Sequence, residues 1–482
     1  MSLIQLVVSD IKQAKERFEM FHQRFAHYFA TITLPPLLCH HYFATKTRNM
    51  ADTAKQYLQG QLQYQRWGNM VQFEKVVPES DHQSLQHFAS NSPWNNEPIL
   101  DDVSQTVSGH IGDEQRSSIH IDESGFPKQG KDSVGVSRQY CGRLGKVDNC
   151  QIGVFLGYTS NSYRMLLDKR LYLPEEWIQD KERSKERRKK CGVPENIVFQ
   201  TKAQLGLEQI YKAMGRKIPF GWIGMDSHYG QQPWLLDELE SQGLLYIADI
   251  PCDTRVWLEL PQTKVPLRNG DRGRKPTKLR ATEQPIEVHR VALHLEQNQW
   301  NSMYVRDTER GQLWSLLAFL RVYPVVDELP GRQTWLILRK DEGEQKLKYQ
   351  YSNAPSDTPL ERLVEMSHSR YWMERAIQDA KGEAGLDEYE LRSWRGWHHH
   401  MTMTILAMFL AMLFLLELQI DWKPKAPELT LQDVREILEV ILPKREITPD
   451  EILRLIEQKH KAKLSAHRSK HRKYELGREK RM

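Results

Sequence analysis

Three acidic side chains stand in settings suited to phosphoryl chemistry. Asp122 lies in the alternating run that begins at Ser118 and meets Glu123, Ser124 and Gly125, the pattern of a short buried strand closed by a turn. Asp226 follows the apolar run from Phe220 to Met225 and precedes Ser227, His228, Tyr229 and Gly230. Glu374 falls in a stretch of helical period from about Met366 to Lys381. Two carboxylates at strand ends and one on a later helix can hold a pair of divalent cations. Such a pair suits in-line displacement at a phosphodiester, one cation activating the attacking oxygen and the other stabilising the leaving one. Acids alone carry little weight in a chain that has 63 of them. Two rivals stand nearby. Glu123 points to the strand face opposite Asp122 by the two-residue period, and Asp249 ends another apolar run.

The segment around Glu374 has a checkable geometry. At about 100° per residue, Arg370, Glu374, Gln378 and Lys381 fall within one face of roughly 80°. Met366, Met373, Ile377 and Ala380 form an adjoining apolar stripe, so the helix can dock and still present an acid flanked by two cations. Lys128, Lys131, Arg138 and Lys146 surround the first acid and are placed to contact phosphate. Arg392 and Arg395, beside Trp394 and Trp397, could grip a nucleic-acid backbone or stack on an unpaired base. For each of these cations the plain alternative is a charge facing water. His398, His399 and His400 invite a zinc reading, but consecutive helical side chains diverge by about 100° and no cysteines lie near.

The elements that must position these groups follow in order. Residues 1–112 read as mostly helical, with aromatic and basic residues intermixed from Arg24 to Arg48 and from Lys55 to Trp67. A capped short helix is expected from Asp81. From 113 to 253, strands at Ile119–Asp122, Gln151–Tyr158 and Arg164–Leu173 precede a charged stretch from Lys181 to Lys190. A helix at Ala203–Met214, a strand at Phe220–Asp226, a helix at Pro233–Ser241 and a strand at Leu244–Asp249 complete this part. Residues 254–351 read as a β-rich insertion, with runs at Arg255–Leu260, Val288–Leu295 and Thr334–Leu338. Residues 352–423 carry the Glu374 helix. In 424–482, Pro424 to Pro427 read as a linker, a helix is expected from the capping box at Thr448, and a tail dense in Lys, Arg and His follows.

Composition narrows the setting. The net charge is +5, and five scattered cysteines without a CxxC pair argue for a reducing compartment rather than a disulfide framework. No basic-then-apolar leader opens the sequence. The apolar run from Thr402 to Leu418 approaches membrane-span length but is short for one, and reads as a helix buried on every side.

The residues around the three acids carry a specific likeness. His120 to Lys131, with Ser133 to Gly142 and Gly145 to Val154, resembles the first catalytic block of the IS701 family of transposases, which belong with the IS4-like DDE enzymes. Gly224 to Gly230 resembles that family's Gly-x-Asp-x-x-Tyr-Gly, and Arg370 to Glu374, continuing to Asp387 and Trp397, resembles its segment around the catalytic Glu. In the motif Tyr-x2-Arg-x3-Glu-x6-Lys, Arg370, Glu374 and Lys381 match, while Ser367 stands at the Tyr position. The likeness favours Asp122 over Glu123 and Asp226 over Asp249. It implies an α/β RNase H-like catalytic core with a β-rich insertion, a helical N-terminal DNA-binding domain and a helical basic C-terminal tail. It further implies catalysis and metal binding by Asp122, Asp226 and Glu374, with Mg²⁺ (Mn²⁺ as substitute) as a pair of ions. DNA would be the partner, as transposon ends and as target, and a homodimer would bridge two ends in the prokaryotic cytoplasm beside the nucleoid. A regulator that binds without cutting, and a nuclease that cuts without joining, are the alternatives.

Overall fold

The computed structural model describes residues 50–64, 68–179, 181–266, 277–308, 311–420, 429–446 and 448–479. The basic and aromatic residues from Arg24 to Arg48, and the expected linker at Pro424 to Pro427, lie outside them.

The described chain opens with four helices, α1 (Ala51–Gln63), α2 (Met70–Val76), α3 (His82–Ser90) and α4 (Glu97–Ile111). Side chains of Asn69 and Asp81 cap α2 and α3 by accepting from the backbone of Gln72 and Ser84, contacts worth about 1 kcal/mol each. The helices turn Tyr57, Phe73, Phe88 and Leu100 inward.

Four antiparallel strands follow: β1 (Ser117–Pro127), β2 (Ser137–Cys141), β3 (Lys146–Ser160) and β4 (Tyr163–Tyr172). Here the sequence expectation needs correcting. All eleven residues of β1 pair with β3, so the strand does not stop at Asp122, and Gly125 is a strand residue rather than a turn. Asp122 therefore projects from mid-strand, opposite Phe155. The charged stretch after β4 forms α5 (Glu182–Cys191), closed by Gly192 at φ 67°. Then come α6 (Lys202–Gly215), with a Thr201–Gln204 capping box, β5 (Trp222–Met225), α7 (Ser227–Gly230), α8 (Pro233–Ser241) and β6 (Tyr246–Asp249). The pairing order is β4-β3-β1-β5-β6, with β5 and β6 parallel to β1.

The next segment holds β7 (Arg255–Trp257), the β8 (Thr263–Lys264) and β9 (Arg280–Ala281) pair, and β10 (Ile286–Glu287). Val288–Leu295, expected as a strand, is instead helix α9 (Val288–His294). Val288, Val291, Ala292 and Leu295 recur at helical spacing, and short apolar runs of this kind fit either period. Strands β11 (Asn301–Thr308), β12 (Gly311–Val326), β13 (Leu329–Pro330), β14 (Thr334–Asp341) and β15 (Lys348–Ser352) follow, and β15 pairs antiparallel with β6. This β-rich stretch thus extends the central sheet, which counts 13 strands among the described residues.

Two helices, α10 (Leu360–His368) and α11 (Arg370–Ala384), replace the one expected across Met366–Lys381, meeting at Ser369. Met373, Ile377 and Ala380 of α11 are buried as their spacing predicts, while Met366 is buried from α10 in a separate cluster; the larger side chains contribute roughly 1.5–3 kcal/mol each. Helix α11 sits flush on β3: a Cβ added at Gly157 would lie 2.2 Å from Met373 Sδ.

Helix α12 (Trp394–Ile420) is long and apolar enough to cross a membrane, yet 83% of its apolar window is buried inside the protein. It packs against α1, α3, α4, β4 and α11. Two further helices, α13 (Leu431–Ile441) and α14 (Pro449–Glu479), end the described chain. The basic tail is thus helical, and its described side chains up to Arg472 are exposed.

Candidate active site

Strand register brings the first two acids together. β1 and β5 are parallel with Ile121 opposite Met225, so the next residue of each chain, Asp122 and Asp226, emerges on neighbouring strands. The Asp226 carboxylate caps α7, Oδ1 accepting from the backbone N–H of His228 (2.9 Å) and Tyr229 (3.3 Å). Asp122 Oδ1 accepts from the N–H of Glu123 (2.7 Å). Burial raises the Asp122 carboxyl to about 7, with Asp226 adding to the effect and Arg370 opposing it. Burial also raises Asp226, against the pull of Arg370 and the Tyr229 N–H.

Helix α11 supplies the third acid and the cation between them. Arg370 Nη2 donates to Glu374 Oε1 (2.5 Å), and Nη1 lies 3.9 Å from Asp122 Oδ2. Its Nε lies 3.0 Å from Asp249 Oδ2. Burial works against the guanidinium, but Asp249, Asp122, Glu374 and Asp226 together hold its pKa above the usual arginine value. Four carboxylates thus converge on one cation. Lys381, farther along the same face of α11, is half-buried; burial lowers its pKa while Asp387 and Asp122 raise it.

The rivals fall into place. Glu123 is engaged by Lys202 of α6, Nζ to Oε2 2.7 Å, and α6 also covers Ile121 on the same face of β1. Asp249 lies against Arg370 on its Nε edge. Gly230 explains the tight join of α7 to β6, because a Cβ there would lie 2.1 Å from the Asp249 carbonyl oxygen. Between these acids sits Tyr229, fully buried, its phenol raised well above its usual value by burial, with Glu123, Asp226 and Asp122 adding. Its hydroxyl has no hydrogen-bond partner among the described residues. Tyr229 is the Tyr of the Gly-x-Asp-x-x-Tyr-Gly match, and nothing in its local sequence announces this buried place.

The expected DNA-contacting cations divide. Lys131, Arg138 and Arg392 are exposed. Lys146 is exposed and paired with Asp148 at 3.1 Å. Lys128 is not free: it donates to the Tyr389 carbonyl, packs 4.4 Å from that ring, and burial brings its ammonium down to about 8. Arg395 donates to the Asn91 carbonyl (2.7 Å). The three histidines of α12 point to separate partners: His398 to Lys169, His399 to the carbonyls of Ala89 and Trp94, and His400 to Tyr57 and the Gly385 carbonyl.

An all-oxygen donor set of carboxylates, two of them raised chiefly by burial, fits hard divalent cations and not softer metals. Comparison with known proteins agrees in kind. Residues 39–312 match the family model described as DDE superfamily endonuclease, more than half of the chain. A relative from Microchaete diplosiphon, "Probable transposase for insertion sequence element IS701", is 24% identical over 332 residues, covering 67% of this chain and 72% of the relative.

Proposed function

The chain belongs to the DDE superfamily endonuclease family, and from that premise we propose that it is the transposase of an insertion sequence. In this reading it cleaves DNA at the element ends and transfers the freed 3′-hydroxyl into target DNA. The convergence of Asp122, Asp226 and Glu374 on Arg370 carries the proposal. The order β4-β3-β1-β5-β6, an antiparallel meander flanked by two parallel strands, supports an RNase H-like core.

Asp122, Asp226 and Glu374 would hold Mg²⁺, with Mn²⁺ as substitute and two ions as the expected number. Bound there, the ions would lower the pKa of the attacking water and neutralise charge on the phosphate. The protein's own contribution is positional. The two aspartates are fixed by strand register and by backbone N–H donors. Arg370 and Lys381 present cations on the same side, where they would orient the scissile phosphate. Lys131, Arg138, Lys146 and Arg392 would track the backbone farther out, and the N-terminal helices would bind the element ends, with a homodimer bridging two of them.

The test is strand transfer. Purified protein is incubated with Mg²⁺, a supercoiled target plasmid and a labelled duplex carrying the DNA that flanks the coding sequence. Joined product is expected. Nicking without joining would favour a nuclease, and binding without nicking would favour a regulator.

A further inference from the structure

Arg370 is gripped on two edges. Its Nη atoms face Asp122 and Glu374, while its Nε faces Asp249 on the far side. Asp249 is itself held from β15. In the β6–β15 register Gln350 lies directly opposite Asp249, and Gln350 Nε2 donates to Asp249 Oδ1 (2.7 Å). Gln350 is in turn fixed by α10: the Ser367 hydroxyl donates to Gln350 Oε1, and Gln350 Nε2 donates also to the Ser367 carbonyl (3.1 Å). Arg339 donates to that same carbonyl. Ser367 is fully buried and Gln350 is 2% exposed.

We propose that Ser367, Gln350 and Asp249 form a hydrogen-bonded relay that positions Arg370, and that Asp249 is a positioning residue rather than a fourth catalytic acid. The chemistry of each link is directional. Ser367 donates to the only acceptor that Gln350 has in its side chain, which turns the amide so that its NH₂ must face Asp249. One oxygen of Asp249 is thereby occupied, leaving the other for Arg370 Nε. An arginine held by Nε loses the freedom to rotate its two Nη atoms away from the reacting centre. Ser367 occupies the position that carries Tyr in the motif resembled by this segment, so the relay gives that departure a role of its own.

The consequence for activity rests on the transposase reading; the geometry does not. Asp249→Asn, Ser367→Ala and the double variant are compared with the parent, with Ser367→Thr as the control that keeps the hydroxyl. Each single change is expected to lower kcat for Mg²⁺-dependent nicking of the flanking-DNA duplex by about tenfold or more. The double should fall no further than Asp249→Asn alone, because the two act through one path. Ser367→Thr should recover most of the loss. Losses that multiply, or a Ser367→Ala protein as fast as the parent, would overturn the relay. A second readout needs no DNA: the Nε resonance of Arg370 in ¹⁵N-arginine spectra, identified by its disappearance in Arg370→Lys. It should shift in Asp249→Asn and, in the same direction, in Ser367→Ala; an unmoved signal in Ser367→Ala would also overturn the relay. A parent that never nicks DNA defeats the transposase reading, while the spectra still decide the relay.

Discussion

Asp122 and Glu123 are adjacent acids with opposite fates, and that contrast is the sharpest statement at the level of single residues. Asp122 joins the carboxylates around Arg370, where burial and Asp226 raise it to about 7. Glu123 pairs at 2.7 Å with Lys202 of α6, the helix that covers the opposite face of β1. The alternation of a β-strand alone separates them. Asp122→Asn should cost at least about a hundredfold in nicking rate, since losing a cation's ligand removes several kcal/mol of transition-state stabilisation. Glu123→Gln should leave the rate within a few-fold of the parent, roughly what a lost partly buried ion pair away from the reacting atoms would give. Single-turnover nicking by both variants checks this. Equal losses would place Glu123 in the reacting set.

At the level of elements, the site depends on how closely α11 lies on β3. Gly157 and Met373 set that distance. Gly157→Ala should destabilise the protein by about 1–3 kcal/mol through overpacking. Placing it in a Met373→Ala background should relieve part of that cost, a coupling measurable by chemical denaturation of the four proteins in a double-mutant cycle. Much of this level was legible beforehand. The apolar stripe Met373, Ile377 and Ala380 was readable from spacing, and so were α6, α8 and the strands leading to Asp226 and Asp249, whereas Met366 belongs to a separate helix. What was not legible has physical causes. The length of β1 past Gly125 comes from pairing with β3, a partner distant in sequence. Val288 to Leu295 satisfied a helical period that its β-branched residues obscured. The link from Ser367 to Arg370 runs through Gln350 on β15, and no local pattern announces a glutamine whose neighbours arrive from two other elements. Lys128 and Arg395 were readable as cations but not as cations already engaged by backbone carbonyls.

Across the whole molecule, one large cluster of buried apolar side chains runs from the N-terminal helices through the sheet to α12 and α13. Helix α12 is apolar on every side because it is surrounded: the N-terminal helices cover one flank and β4 and α11 the other. The β-rich stretch is continuous with the sheet that carries the acids, so β15 pairs with β6 and reaches Asp249. Outside this body, α14 presents Lys459, Lys461, Lys463, Arg468, Lys470 and Arg472 to solvent, a charged surface suited to DNA phosphates through counterion release. Strand and helix, drawn from distant parts of the chain, meet at Arg370, and metal-dependent cutting would need both. The most direct test is the rate of Mg²⁺-dependent nicking of the flanking-DNA duplex by the parent and by Glu374→Gln, with binding of the same DNA measured alongside. Nicking by the parent, abolished by chelation, is expected, with a Glu374→Gln protein that binds the DNA as the parent does but does not cut it. A Glu374→Gln protein that cuts at the parental rate would contradict that expectation.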